Sequence, residues 1–391
     1  MPEPKRVWNP PNPYLSEQRE LLGEPPVAEM EIYEDESQSI LSHNDSPDIG
    51  FRWSINPYRG CFHACAYCYA RPTHEYFGFG AGTDFERKIF IKRKAAVLLE
   101  QAFRKLSWKG ERIVFSGVTD CYQPLEAAWR LTRQCLEVCL AFRNPIAIIT
   151  KSLLIRRDAE VLAALAREAH ASVSISIPFL NEKIARAIEP GAPTVKRRFE
   201  TMKMLADAGV PVGIGVAPII PGLNDSDIPG LLKMAKANGA QYAFRTLLRL
   251  PGSVKAVFFH RLQEVLPDRA RRIEHRIRET REGKLYDSRF GHRHLGEGNY
   301  WDAVGQLWNV WTHRLGFDRD DDELLHPSTF RRPPTLTTMG MPPRSAGRRK
   351  ARSLASNETT EAPSIHVVKD AAPLWGAEDV TPQLEFLWDV A

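Results

Sequence analysis

The chain has 391 residues, which is enough for two or three domains and a large buried core. Its 43% of hydrophobic and 26% of charged residues exclude wholesale disorder and fibrous architectures. The longest nearly uncharged apolar stretch, residues 210–223, contains prolines and is shorter than the roughly 18 residues of a membrane-spanning helix, so we expect no membrane partner.

From residue 51 to residue 267 the sequence alternates short β-branched runs with longer helical patterns. The runs predict strands over residues 51–56, 112–116, 146–150, 172–177, 210–217 and 241–248. Apolar residues spaced three and four apart predict helices over residues 95–106, 125–142, 155–170, 195–208, 228–238, 268–281 and 300–315. This alternation indicates an α/β fold with parallel strands, in an open sheet or in a barrel.

Proline and charge divide the chain into a folded middle and two different ends. Residues 1–50 and 327–391 hold 16 of the 29 prolines. The net charge is +5, but residues 331–357 alone contain seven bases and no acid, whereas residues 20–51 contain nine acids and no Lys or Arg. We expect an acidic Pro-rich N-terminal extension over 1–50, a core over 51–266, a helical extension over 267–330 and a disordered Pro-rich tail over 331–391, basic in its first half.

The six cysteines are expected to be thiols or metal ligands. The N-terminus lacks the charged-then-apolar pattern of a secretory signal, so we expect a cytoplasmic protein, in which disulfides are rare. Cys135 and Cys139 are four residues apart in an apolar helical pattern, which predicts two core thiols.

The other cysteines include three that lie close together in residues 56–71, NPYRGCFHACAYCYAR. Cys61, Cys65 and Cys68 follow the first predicted strand with C-x3-C-x2-C spacing, so one folded loop can bring three thiolates to one metal centre. Zinc needs four protein ligands in a structural site, and His63 or His74 is available as the fourth. A [4Fe-4S] cluster held by three cysteines instead leaves one iron free for another ligand. The residues alone leave both metal centres open.

The loop and its surroundings resemble the radical S-adenosylmethionine (SAM) enzymes, and in particular their spore photoproduct lyase-like branch. The resemblance rests on the C-x3-C-x-aromatic-C loop, with Tyr67 before the third cysteine, and on an ordered series of segments between residues 56 and 250. The segments read NPYRGC, CAYCYARPTH, SGVTDCYQPLE, TKS, SISI and VAPIIPGLND, with a weaker continuation in YDSRFG and GEGNY. The resemblance implies a partial (β/α)6 barrel of the TIM type with a C-terminal helical extension and poorly structured termini.

The same resemblance implies cofactors and an activity. Cys61, Cys65 and Cys68 would hold a [4Fe-4S] cluster whose fourth iron is chelated by the amino and carboxylate groups of SAM. Reductive cleavage of SAM gives methionine and a 5′-deoxyadenosyl radical, which abstracts hydrogen from a substrate. An electron donor such as a flavodoxin or a ferredoxin is implied, and damaged DNA is one substrate that the resemblance suggests.

Residues at the ends of successive strands are implied to contact SAM. An acid suits the ammonium, a lysine suits the carboxylate, and alternation along a strand puts two serine hydroxyls on one face. The implied contacts are Ser116, Thr119 and Asp120 at the amino group, Lys151 at the carboxylate, Ser174 and Ser176 at the ribose, and Val216 with Tyr67 near the adenine. Ligand sites of β/α folds gather at this end of the strands.

Cys121 and Tyr122 follow Asp120 at the predicted mouth of the site. In spore photoproduct lyase a cysteine donates hydrogen to the product radical, but that cysteine falls nearer the position of Gly117 here, so an identical reaction is not implied. We expect Cys121 or Tyr122 to be a hydrogen donor in this protein.

Two other functions fit parts of the sequence. The cysteine loop with His63 or His74 fits a zinc-organised nucleic-acid-binding module, although such a module does not need six alternating strands and helices behind it. A scaffold protein that keeps the fold without catalysis also fits, but Asp120 and Lys151 argue against it.

Two basic regions suggest a nucleic-acid partner. Residues 331–357 would supply salt-sensitive, non-specific attraction to nucleic acid. Near the cysteine loop, bases lie beside aromatic residues, a combination that fits either a flipped or single-stranded base or simply a solvated helix start beside a packed loop. These bases are Arg71, Lys88, Lys92, Arg93 and Lys94.

Overall fold

A computed structural model of the protein describes residues 9–14, 29–317, 328–334 and 365–367. Most of residues 1–28 and most of the predicted tail over 331–391, including residues 335–357 of its basic segment, lie outside these described residues. The strands are β1 (Glu31–Asp35), β2 (Leu41–His43), β3 (Trp53–Ile55), β4 (Tyr58–Arg59), β5 (Lys88–Ile91), β6 (Ile113–Phe115), β7 (Ile146–Thr150), β8 (Ala171–Ser176), β9 (Val212–Ile219), β10 (Tyr242–Leu247) and β11 (Ile365–Val367).

The helices occupy the connections between the strands and the region after β10. They are α1 (Thr83–Arg87), α2 (Ala95–Arg104), α3 (Glu126–Trp129), α4 (Leu131–Ala141), α5 (Ala159–Ala169), α6 (Glu182–Ile188), α7 (Val195–Asp207), α8 (Ile228–Ala237), α9 (Val254–Val265), α10 (Pro267–Glu279) and α11 (Asn299–Leu315). Short 3-10 helices cover Arg71–Phe77, Leu153–Asp158 and Asp225–Asp227. Within the described ranges, no helix has both the length and the apolar character needed to cross a membrane.

The larger sheet has the strand order β10, β9, β8, β7, β6, β3, β2. From β3 through β6 to β10 the neighbours run parallel in chain order, and β2 pairs antiparallel with β3 at the edge. Each of the six strands predicted from the sequence is present, and helices lie between them in the chain. The α/β fold with a partial (β/α)6 barrel is therefore confirmed, and the described strand order ends at β10 and β2 without closing.

The predicted helix over residues 125–142 is instead two helices, α3 and α4. Arg130 between them has a left-handed backbone with φ of 51°. The Glu126 carboxylate accepts hydrogen bonds from the backbone N–H groups of Thr132 and Arg133, and so satisfies donors in the first turn of α4. A side chain one turn upstream thus starts a new helix where the apolar spacing predicts a continuous one.

A second, smaller sheet was not predicted and lies beside the cysteine loop. Its order is β11, β1, β5, β4. β1 comes from the range 1–50 that the composition marks as an extension, and β2 from the same range joins the larger sheet. β5 begins at Lys88, where a solvated helix start was one expectation. For Lys88 that expectation is wrong, because the three residues after it are apolar and buried against β1 and β4. Arg93 and Lys94 are exposed directly before α2, as a solvated helix start predicts.

The two faces of the larger sheet carry side chains of different size. The outer face is bulky and packs into the main hydrophobic core, as shown by Ile55, Phe115, Ile148, Val173, Ile175, Ile214 and Val216. On the inner face the register places Ser174 beside Gly213, and Ser176 beside Gly215. The Tyr242 and Phe244 rings of β10 lie where a Cβ atom on Gly213 or Gly215 would be. Small residues therefore make room for two aromatic rings on the inner face of the barrel.

Helix α11 covers the outer side of β10. The Arg245 guanidinium lies over the rings of Trp301 and Trp308, with its Cζ 5.1 and 5.5 Å from their centroids. The helices predicted over residues 268–281 and 300–315 correspond to α10 and α11. The C-terminal helical extension is thus packed against the last strand of the barrel.

Candidate functional site

The three clustered cysteines lie on the loop that follows β4. Like the other cysteines they are free, and the Cys61 and Cys65 residues are each only 7% exposed. Burial is the largest cause that raises the pKa of all three thiols, to about 12 for Cys65. Metal binding must therefore displace their protons. Soft sulfur donors in this number and setting fit an iron–sulfur cluster.

The backbone of the loop is held by groups other than the thiols. Arg71 is completely buried, and its guanidinium forms a 2.6 Å ion pair with Glu86. The same guanidinium donates hydrogen bonds to the carbonyl oxygens of Ala64, Cys65, Ala81 and Gly82. Arg71 holds the loop through backbone carbonyl oxygens and not through the cysteine side chains. The three sulfur atoms therefore remain available as ligands.

The segment that contains Glu189 packs against the other side of the loop. The Ala66 N–H donates to the Ile188 carbonyl oxygen at 2.9 Å, and the Gly191 N–H donates to the His63 carbonyl oxygen at 3.1 Å. The chain after α6 is therefore joined to the cysteine loop through two backbone hydrogen bonds.

Glu189 is the centre of a charge network next to Cys65. The network also contains Arg198 and Tyr67, which are buried, and Lys151, which is partly buried. The Glu189 carboxylate pairs with Arg198 at 2.6 Å and with Lys151 at 3.7 Å, and it accepts a hydrogen bond from the Tyr67 hydroxyl. Burial lowers the pKa of Lys151. Interactions with Cys65 and Glu189 raise it by a larger amount, so the net shift of the pKa is upward. The network thus keeps an ammonium charged beside the cysteine loop.

The Lys151 ammonium has a defined position within this network. Its Nζ donates to the Ser176 Oγ at 3.0 Å and lies 5.7 Å from the centroid of the Tyr67 ring. Three residues predicted as SAM contacts, Lys151, Ser176 and Tyr67, are therefore brought together next to Cys65. Glu189 and Arg198, which hold them there, were not predicted.

Asp120 joins the segment after β6 to the end of β7. Its Oδ1 accepts from the Thr150 hydroxyl at 2.7 Å and from the Tyr122 N–H at 2.9 Å, and its Oδ2 accepts from the Lys151 N–H at 2.8 Å. His63 Nδ1 lies 3.4 Å from Oδ2. Both oxygens already have partners within the chain, and contact with the SAM amino group stays a prediction.

Replacing Asp120 with Asn is expected to reduce stability in a pH-dependent way. Burial raises the pKa of Asp120, but the His63 ring and the hydrogen bonds outweigh it and hold the pKa at about 2, below the ordinary 3.8. A depressed pKa stabilises the fold above about pH 4, and this contribution is lost as the pH falls towards 2. The difference between these two pKa values corresponds to about 2 kcal/mol of folding stability at pH 7.

Urea denaturation of the variant and the parent chain at pH 7 and pH 3 measures this effect. Asp207→Asn is the control, because that exposed carboxylate pairs with the exposed Lys203 and should contribute less than about 1 kcal/mol. If Asp120→Asn lowered the free energy of unfolding as much at pH 3 as at pH 7, the lowered pKa of Asp120 would be contradicted as the cause.

Ser116 and Thr119 shape the segment after β6. Ser116 has a left-handed backbone with φ of 69°, and its Oγ accepts from the Cys121 N–H at 2.9 Å. Thr119 donates its hydroxyl to the Tyr58 carbonyl oxygen at 2.7 Å and its N–H to the Asn56 Oδ1 at 3.3 Å. Their side chains have these roles in the fold, and their contact with SAM stays a prediction.

Cys121 and Tyr122 are both buried. Cys121 belongs to the main hydrophobic core, and the Tyr122 hydroxyl donates to Asp158 Oδ2 at 3.1 Å, directly before α5. Cys121 is 1% exposed and Tyr122 is 0% exposed, so neither is open to solvent as a position at the mouth of the site predicts. Their action as hydrogen donors stays a prediction. Cys135 and Cys139 are buried in α4, as predicted.

Ser174 and Ser176 share the inner face of the sheet, as their alternation predicts. The Ser174 Oγ lies 3.2 Å from the Tyr242 hydroxyl oxygen. The Val216 side chain lies on the opposite, outer face among the core residues. A contact between Val216 and adenine would therefore have to come from its backbone, and it stays a prediction.

The two histidines considered as zinc ligands have other contacts. His63 lies beside Asp120, and the His74 Nε2 is 2.8 Å from the Lys88 carbonyl oxygen. The His74 ring packs edge-on against Phe85 and Phe90, and burial lowers its pKa to about 4. In the described part of the chain, no group of three or more His, Cys, Asp or Glu side chains is arranged to hold a single metal ion.

The sequence also matches a known protein family, and the matched range contains the site described above. Residues 55–235 match the sequence model of the radical SAM superfamily, a range that contains the cysteine loop and the strands from β6 to β9. Residues 55–235 are a radical SAM domain. Within this domain the cysteine loop, Lys151 and Ser176 lie at the carboxyl ends of the parallel strands, where ligand sites of β/α folds gather.

The fold that contains the radical SAM domain is similar to that of spore photoproduct lyase. A cysteine-to-alanine mutant of that lyase, with dinucleoside spore photoproduct, has a TM-score of 0.51 at 14% identity, over 73% of this chain and 78% of the lyase chain. A second lyase complex with the same dinucleoside has a TM-score of 0.50 at 14% identity, over 69% and 76% of the two chains. At this identity the similarity concerns the fold.

Curated relatives share more of the sequence. Uncharacterized proteins of Mycobacterium bovis and Mycobacterium tuberculosis are 35% identical over 222 residues, which cover 56% of this chain and 65% of each relative. An uncharacterized protein of Methanocaldococcus jannaschii is 30% identical over 176 residues, 45% of this chain and 63% of the relative. These matches span less than two thirds of the relatives' own length.

Proposed function

We propose that the chain is a radical SAM enzyme that holds a [4Fe-4S] cluster on Cys61, Cys65 and Cys68, with SAM at the adjoining ends of the strands. The observation that carries this proposal is the set of three free thiols, two of them buried and that of Cys68 partly buried, on a loop whose backbone is fixed by Arg71. When bound, the cluster and SAM supply reductive cleavage to methionine and a 5′-deoxyadenosyl radical, which takes hydrogen from the substrate.

The residues around Cys65 orient SAM in this proposal. The Lys151 ammonium attracts the SAM carboxylate, and the Ser176 hydroxyl and the Glu189 carboxylate hold that ammonium in place. Asp120 fixes the backbone of Lys151 through the Lys151 N–H. Burial of this network excludes water, which strengthens each of these charge interactions.

The inner face of the barrel receives the rest of the ligand. Ser174 and Ser176 offer hydroxyls on that face, and the rings of Tyr242 and Phe244 border it. Cys121 or Tyr122 would return hydrogen to the product radical after a rearrangement that opens their buried side chains. In this proposal the two hydroxyls contact the ribose, and the two aromatic rings border the substrate.

An electron donor and a substrate complete the proposed reaction. A flavodoxin or a ferredoxin would deliver the electron that cleaves SAM. Damaged DNA is the proposed substrate, with support from the two lyase structures of similar fold that contain a dinucleoside spore photoproduct.

Anaerobic reconstitution of the full chain with iron and sulfide tests this function. We expect about four irons and four sulfides per chain. With SAM and a reductant, the holoprotein should release 5′-deoxyadenosine and methionine, and samples without reductant should release none. Addition of ultraviolet-irradiated DNA then tests the substrate, with unirradiated DNA as the control. Tightly bound zinc, no iron uptake and no 5′-deoxyadenosine would contradict the proposal and support the zinc-organised module.

A further inference from the structure

The side-chain amide of Gln123 joins the segment after β6 to the cysteine loop. Gln123 is completely buried. Its Nε2 donates to the Gly60 carbonyl oxygen at 3.2 Å, and its Oε1 accepts from the Phe62 N–H at 3.3 Å. Gly60 and Phe62 are the two neighbours of Cys61 in the chain. One side chain therefore forms hydrogen bonds with the backbone on both sides of the first of the three clustered cysteines.

Asn56 forms the reverse connection, from the chain before the cysteine loop to the segment after β6. It is 7% exposed, and its Oδ1 accepts from the Val118 N–H at 2.9 Å and from the Thr119 N–H at 3.3 Å. Val118 and Thr119 belong to the segment for which contact with the SAM amino group is predicted. We call Asn56 and Gln123 the amide clasp, because each side chain reaches from its own segment to the backbone of the other.

The amide clasp holds a different part of the cysteine loop from the part that Arg71 holds. The Arg71 guanidinium donates to the carbonyl oxygens of Ala64 and Cys65, further along the loop. At the start of the loop, the Cys61 N–H donates to the Phe85 carbonyl oxygen at 3.0 Å, and the clasp holds the residues on either side. The position of Cys61 therefore depends on the amide clasp more directly than on the Arg71 guanidinium.

Both segments that the clasp joins carry groups of the proposed reaction. The cysteine loop carries Cys61, a proposed ligand of the cluster. The segment after β6 carries Asp120, whose carboxylate accepts from the Lys151 N–H at 2.8 Å. Misplacement of reacting groups by about 1 Å can cost about a hundredfold in rate. Hydrogen bonds that cross directly between the two segments are a means of keeping their separation fixed.

We propose that Asn56 and Gln123 are positioning residues that set the place of the cluster relative to SAM. The proposal rests on the proposed function and deepens it, because it assigns the side chains that align its two cofactors. Gln123 holds the backbone at Cys61, and Asn56 holds the segment proposed to contact the SAM amino group. Neither side chain touches a reacting atom. Loss of either amide should therefore weaken and displace SAM at the cluster without removing a cluster ligand.

SAM binding by the anaerobically reconstituted full chain tests the amide clasp. Binding of radiolabelled SAM is measured by equilibrium dialysis without reductant and is divided by the cluster content of each sample. Gln123→Leu should still take up about four irons per chain, because the three cysteines are unchanged. Its affinity for SAM per cluster should fall about tenfold, the effect of one lost buried hydrogen bond.

A spectroscopic measurement reports on the alignment itself. Electron paramagnetic resonance (EPR) spectra of the reduced cluster are recorded with and without SAM, in samples frozen directly after mixing. In the parent chain SAM should change the spectrum, and in Gln123→Leu this change should be smaller at the same fraction of bound SAM. A side chain with only a structural role would alter the number of clusters per chain, but neither the affinity per cluster nor this spectral change.

Matched variants give the controls. Asn56→Leu should have the same effects as Gln123→Leu. Asn56→Asp, which keeps an acceptor oxygen for both N–H groups, should bind SAM like the parent chain. Gln134→Leu is the same substitution as Gln123→Leu at an exposed position of α4, and it should also keep the parent values.

Three outcomes would overturn the proposal. The first is parent affinity per cluster and the parent spectral change in both leucine variants of the clasp. The second is an equal loss of affinity in Asn56→Asp and Asn56→Leu. The third is that neither leucine variant takes up a cluster, since the clasp would then serve the folding of the loop and not the alignment of SAM. If only Gln123→Leu takes up no cluster, the two Asn56 variants decide.

The parent chain separates a failure of this proposal from a failure of the proposed function. A parent chain that takes up no iron and forms no 5′-deoxyadenosine contradicts the proposed function, and the role of the clasp fails with it. If the parent chain cleaves SAM and both leucine variants bind SAM as tightly as the parent, only the role of the clasp is overturned.

Discussion

Replacing Cys65 with Ala is expected to abolish both cluster binding and SAM cleavage, whereas replacing Cys135 with Ala should leave both intact. Cys65 lies on the cysteine loop, and its three thiolates are all that this loop can provide as cluster ligands. Cys135 lies in the core of α4. Both changes remove one buried sulfur atom, so their effects on packing are matched at about 1 kcal/mol.

The measurements are iron per chain after anaerobic reconstitution and 5′-deoxyadenosine formed under reductant. Circular dichroism of both variants checks that each chain is folded. A Cys65→Ala chain that takes up iron and cleaves SAM like the parent would remove this loop from the proposed centre. Loss of iron from Cys135→Ala instead would move the ligand set towards α4.

Much of the barrel can be predicted from the sequence because its strands are short, apolar and bounded by polar residues. β7 has the predicted bounds of 146–150, and the other barrel strands differ from prediction by one or a few residues. The outer faces of the strands from β6 to β9 are mostly bulky, apolar and buried, and this is why the β-branched runs in the sequence predict these strands. Local pattern and tertiary packing agree in this part of the chain.

The smaller sheet and the break between α3 and α4 depend on contacts that no local pattern contains. β5 pairs with β1, which lies more than fifty positions earlier in the chain. Arg130 leaves the helical conformation where Glu126 takes over the first amides of α4. The partner of β5 is distant in the sequence, and the break before α4 depends on one polar side chain within the segment, so apolar spacing carries no information about either.

The residues of the candidate site also divide into those that the sequence predicts and those that it does not. Lys151, Ser176 and Tyr67 are predicted from their positions in a recognisable series of segments, and the structure brings them together. Glu189 and Arg198 are missed, because a charged residue is usually exposed and nothing in the local sequence indicates that these two are buried as a pair. The structural role of Arg71 in the cysteine loop is also missed. In the sequence it lies among bases and aromatic residues that fit a nucleic-acid contact, but in the structure it is completely buried.

Replacing Glu189 with Gln is expected to destabilise the protein by about 3–5 kcal/mol, because it leaves the buried Arg198 and the partly buried Lys151 without a carboxylate. Arg198 lies 2.6 Å from that carboxylate and Lys151 lies 3.7 Å from it. Arg198→Met should also destabilise the chain, but the remaining pair of Glu189 and Lys151 is still balanced in charge. The double variant has one buried cation fewer than Glu189→Gln alone.

A double-mutant cycle turns this charge argument into a measurement. The free energy of unfolding of the apoprotein in urea should fall less for the double variant than the sum of the two single losses, by about 1–3 kcal/mol. The same cycle on the exposed pair of Lys203 and Asp207, 3.0 Å apart, should give less than about 1 kcal/mol. If the two couplings are equal, the carboxylate of Glu189 does not hold the buried cations, and the position of Lys151 depends on its hydrogen bond to Ser176 instead. Ser176→Ala would then displace the ammonium from Cys65, and the SAM affinity of the reconstituted chain would fall with it.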